Sequence, residues 1–117
     1  MNFNLDVNKV VGAMLQSSAA ALAKGGQKAT EYATHEYQGF IADLEHVQAM
    51  AEKGTISQAE AQSLVDQHKL SMQAVLVAIE GLSLIAVQEA INAAMRALND
   101  ALKDALGSAF KALKFAL

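Results

Sequence analysis

The stretch "EKGTISQAE", Glu52–Glu60, decides how this chain folds. Gly54 suits the left-handed backbone position that ends a helix. Ser57 and Glu60 have the S-x-x-E spacing of a capping box, in which each side chain accepts from the other residue's backbone N–H at a helix start. A helix that stops at Gly54 and another that opens at Ser57 leave room only for a tight turn. The reading is an antiparallel helical hairpin centred near Gly54.

Upstream of that turn, Ala33, Tyr37, Phe40, Leu44, Val47 and Ala51 recur at 4-3-4-3-4 spacing, a heptad seam that predicts a helix over residues 28–52. Before it, Gly25-Gly26 weakens the helical pattern. Phe3, Val7, Val10 and Met14 give residues 4–23 an amphipathic helix of their own. Downstream, the seam runs through Ala61, Val65, His68, Met72, Val75, Ile79, Leu82 and Ala86. No firm stop precedes Gly107, so one helix is expected over residues 57–106, with a kink at Gly81. Residues 107–116 read as a short amphipathic helix. Phe110 and Leu113 lie on its apolar face, Lys111 and Lys114 beside it, and Phe115 on the far side.

Composition fits this pattern. The chain has 117 residues, sized for one domain, and it is 53% hydrophobic but only 5% aromatic. It has no proline, the strongest helix breaker, and no cysteine, so disulfides and thiolate chemistry are excluded. The fold class expected is all-α: a long antiparallel helical hairpin or helix bundle, completed by self-association. Net charge is −3, which speaks against nucleic-acid binding. Residues 30–66 carry seven acids against one lysine, while both ends are basic. The N-terminal stretch has no signal-peptide pattern, which makes the cytoplasm the default expectation, with signal-independent export left open. No apolar run is long enough for a membrane span.

Three functional readings follow. The first is a non-enzymatic structural protein that assembles into a homo-oligomer or filament. Residues 72–98 are apolar on nearly every face, and such a helix must be buried all round. Val75, Ile79, Leu82 and Ile85 would be the centre of the contact. The second is a membrane-surface protein, in which Phe110, Leu113, Lys114 and Phe115 engage an anionic bilayer or a partner. The third is a ferritin-like metal bundle. Its candidates are Glu31, His35, Asp43, His46 and His68, but Glu31 to His35 is i,i+4 where such sites use Glu-x-x-His. Only Asp43-x-x-His46 has the i,i+3 spacing, and His35 lies opposite the apolar seam. No cofactor is expected. No serine sits in a nucleophile-elbow motif, so enzymatic activity is not expected either. His68 falls on the seam itself, where a buried ring needs a hydrogen-bond partner, with Tyr37 about one turn away.

Overall fold

The computed structural model describes residues 2–117 and is all-helical, with no strand among the described residues. Four α-helices form it: α1 (Val7–Leu22), α2 (Gly26–Glu52), α3 (Gln58–Val77) and α4 (Leu84–Leu106). A 3-10 turn, Ala23–Gly25, joins α1 to α2, and a second 3-10 segment, Gly107–Ala112, follows α4. Short connections make sequence neighbours antiparallel. The helices pack as a ring in which each touches the next, and α4 closes against α1 in the largest contact.

The α2–α3 turn is built as its residues dictate. Thr55 N–H donates to the Met50 carbonyl and Gly54 N–H to the Ala51 carbonyl, with Gly54 at φ 75°, the Schellman arrangement that ends a helix. Ser57 N–H then donates to Glu60 Oε1 (2.9 Å) and Glu60 N–H to Ser57 Oγ (3.0 Å), completing the capping box. The Ser57 N–H bond, with a smaller contribution from the Ser57 side chain, holds the Glu60 carboxyl below its ordinary pKa. Asp6 caps α1 through Lys9 N–H, and Ser83 caps α4 through Ala86 N–H.

The expected helix over 57–106 is two helices. The chain leaves α3 after Val77, turns through residues 78–83, and returns as α4. Gly81 does more than kink the path. Its φ is 92°, and a Cβ there would meet the Lys24 carbonyl oxygen at 2.5 Å. The α3–α4 turn is therefore seated directly on the α1–α2 turn, and Leu82 lies against Gly25 in the same contact. A straight helix of fifty residues would reach about 75 Å; the molecule is 42 Å in its longest dimension. Folding back lets the apolar run bury itself: Leu76, Ile79, Leu82, Val87 and Ile91 are core residues.

The core runs the length of the ring. The expected seam positions Ala33, Tyr37, Phe40, Leu44, Val47, Ala61, Val65 and Met72 are all buried, with Phe3 sealing the end beyond α1. Among the described residues, the polar side chains of Ser18 and Gln48 are fully buried. Ser18 Oγ donates to the Met14 carbonyl (2.8 Å) and accepts from Tyr37 Oη (3.0 Å), tying α1 to α2. Burial raises the Tyr37 pKa, and the Ser18 bond offsets part of the rise.

Candidate functional site

The bundle has two unlike ends. At one, the α2–α3 turn meets the segment after α4. At the other, the two glycine turns stack, and the helices beside them expose aliphatic side chains.

The first end corrects the reading of residues 107–116. They do not form an α-helix: 3-10 geometry runs to Ala112, and Leu113 is extended. The tail is held by amides from helices far away in sequence. Gln48 Nε2 donates to the Ala112 carbonyl (3.2 Å), and Lys114 N–H donates to Gln48 Oε1 (2.8 Å). One step on, Gln62 Nε2 donates to the Ala116 carbonyl (2.9 Å), and Ala116 N–H donates to Gln62 Oε1 (2.7 Å). Each glutamine thus pairs with main chain as a neighbouring strand would. The extended path also turns Phe115 inward, where it is buried; a helix would have placed it on the far side. Phe110 and Leu113 are half-buried against the core, and Lys114 is half-buried beside Gln48. Insertion of these residues into a bilayer would require the tail to leave its clamp.

The metal candidates are dispersed. Glu31 accepts from Gln27 Nε2 on the outer face of α2, and His35 and His46 are exposed there. Asp43 does not pair with His46, its i+3 neighbour; it reaches across the hairpin to His68, with Nδ1 and Oδ2 3.2 Å apart. His68 is half-buried at the helix edge, and its partner is this carboxylate, since Tyr37 is engaged by Ser18. Among the described residues no three histidine, aspartate or glutamate side chains converge to hold a metal ion.

The second end carries the distinctive surface. Of the four residues expected at the centre of self-association, the structure separates two from two. Ile79 and Leu82 are buried inside the chain, against the expectation that they lie at a contact surface. The fold-back at 78–83 covers them. Val75 and Ile85 remain exposed, Ile85 at 68%. They are joined by Val77, Leu84 and, further along α3, Leu70 at 61% exposure. Leu70 and Val77 share a face of α3 at seven-residue spacing. Val75 faces α2, where it lines a groove with Tyr32, His35 and Glu36, and Tyr32 carries the Lys28 ammonium 5.8 Å from its ring centroid. From Leu70 to Gln88 the only charged residue is Glu80.

No family model, curated protein sequence or solved structure matches this chain.

Sequence reasoning missed Leu70 and Tyr32 at this surface. The signal for Leu70 was the seven-residue repeat Leu70, Val77, Leu84, which stands one register away from the core seam. It also missed both clamping glutamines, because nothing local marks Gln48 or Gln62 as partners of a segment more than fifty residues on. No helix is long and apolar enough to cross a membrane, among the described residues.

Proposed function

We propose that the protein is a non-enzymatic assembly module whose copies associate through the end of the α3–α4 hairpin. The observation that carries this reading is the exposed set Leu70, Val75, Val77, Leu84 and Ile85. Leu70 and Val77 stand on one side of α3 and Val75 on the side toward α2, so together with Leu84 and Ile85 they surround the end of the α3–α4 hairpin with exposed aliphatic surface, the kind that marks interaction sites. Interfaces are depleted of charge at their centres, and the sequence from Leu70 to Gln88 carries no charge but Glu80. A cytoplasmic location belongs to the same proposal and rests on the sequence alone.

The confinement of the patch favours a closed assembly. All the large hydrophobics that are exposed among the described residues lie toward the glycine-turn end or along the α3 stripe leading from it. One self-complementary patch generates a two-fold dimer; a filament needs two different complementary faces. The expected species is therefore a dimer. The test is mass in solution by light scattering or sedimentation equilibrium. Wild-type chain should show twice its own mass at micromolar concentration. The Val77→Asp/Ile85→Asp variant should be monomeric with unchanged helicity, because both sites are exposed. Wild-type protein that stays a folded monomer at high concentration would sink the reading. Ile79→Asp is no test of association, since it charges the chain's own core.

A further inference from the structure

We propose that the cleft between α4 and the clamped tail binds a small amphipathic anion, a molecule with an apolar body and a carboxylate or similar head. The cleft has a volume of about 570 Å³, within the range of roughly 300–1,000 Å³ typical of small-molecule sites. Its two sides differ in chemistry. Along α4, Asn92, Arg96, Asn99 and Lys103 follow one another at 4-3-4 spacing, so they share a single helical stripe. Lys69 of α3 joins them at the rim. This gives three cations and two amides, and no aspartate or glutamate lines the cleft. The opposite wall is apolar: Phe110, Leu113 and Phe115 from the tail, with Met95 from α4.

Such a concentration of positive charge is not a property of the whole protein, which is net negative. None of the acids of α4 lines the cleft: Glu89 continues the stripe one step beyond Asn92, outside the lining, and Asp100 and Asp104 fall to its side. Arg96 makes no ion pair among the described residues, although Asp100 stands one turn away. Among the described residues Lys69 pairs with Asp66 alone, at 3.9 Å, and its side chain is 27% exposed. The Lys103 ammonium lies 5.7 Å from the Phe110 ring centroid, which holds a cation at the junction of the polar and apolar walls. An anionic head would take donors from Arg96, Lys103 and the asparagine amides. The attached chain would cover Met95, Phe110 and Leu113. The Gln48 and Gln62 clamps acquire a second consequence here, because they fix the tail as a wall.

The experiment is isothermal titration of the full chain with decanoate, below its micelle concentration. The expected result is saturable binding with one site per chain. Decan-1-ol, which lacks the charge, should bind at least tenfold more weakly, and so should hexanoate, which lacks four methylenes. Arg96→Gln/Lys103→Gln should weaken decanoate binding tenfold or more while leaving helicity and thermal unfolding unchanged. Absence of saturable binding overturns the proposal. So does equal affinity for decanoate and decan-1-ol, or equal affinity in the double variant. Co-sedimentation with phosphatidylglycerol vesicles in the absence of free decanoate binding also overturns it, in favour of a membrane surface.

Discussion

Tyr37 shows how a single buried hydroxyl can be both structural and titratable. Its Oη donates to Ser18 Oγ inside the core, and burial raises its pKa above that of a solvated tyrosine. The folded state therefore holds this proton more tightly than the unfolded chain does. Stability from this group is intact below the unfolded tyrosine pKa of about 10 and falls as pH rises above it. Tyr37→Phe should cost about 1 kcal/mol at neutral pH, the worth of one hydrogen bond. Ser18 still donates to Met14 in that variant. The variant should also lose less stability than wild type between pH 8 and pH 11, read from urea midpoints at each pH. Gly81 is the other decisive residue. Gly81→Ala forces a side chain into positive φ and into the Lys24 carbonyl oxygen 2.5 Å from its Cβ. The expected loss is about 1–3 kcal/mol, measured by urea denaturation. Gly12, with open space around it, should accept the same change at little cost.

Among the elements, the α2–α3 hairpin was the most legible in sequence. Gly54, Ser57 and Glu60 interact with neighbours a few positions away, so their spacing carries the whole instruction. The seam along α2 was legible for the same reason: five of its six positions are core, and the α3 seam added Ala61, Val65 and Met72 while His68 and Val75 lie outside the core. The α3–α4 break was not legible as a full reversal. No proline stands there, the apolar pattern continues through Leu76, Ile79 and Leu82, and what makes Gly81 necessary is a carbonyl at Lys24. The tail was misread for a related reason. Its 3–4 spacing of Leu and Phe is genuine helical periodicity, but Gln48 and Gln62 supply its main chain with partners that favour an extended path. Of the candidate site, Val75 and Ile85 were named from sequence, while Leu70 was hidden by its register. Removing one clamp tests the tail. In Gln48→Leu, the Lys114 amide should lose its hydrogen-exchange protection, while the amides of α2 and α3 away from the tail keep theirs. Ala116, held by Gln62, should lose less.

The whole molecule is a ring of four helices with a polarity that no single element reveals. One end gathers residues 2–6, the α2–α3 turn and the tail; the other holds the stacked glycine turns and the exposed aliphatics. Dimerisation through the second end, as proposed, would leave the first facing outward in both copies. On dilution, a dimer formed this way should dissociate into folded monomers, because each chain already buries its own core. Helicity should therefore persist, by circular dichroism, at concentrations where the mass has halved. Loss of helix together with loss of mass would mean that the ring is incomplete by itself.

The α2–α3 turn differs from the other two in how it is supported. Its hydrogen bonds close within Ala49–Ala61, and a side chain at Gly54 would meet nothing within 4 Å. The α1–α2 and α3–α4 turns, by contrast, are pressed against each other. The chain is in that sense two hairpins whose turns lean on each other, linked by a third turn that touches neither. That makes Gly54–Thr55 the natural split point of the sequence. Cleavage there leaves two halves that keep their mutual contacts through α1 on α4 and α2 on α3, and a loop or a whole domain grafted there would leave the register of the bundle unchanged.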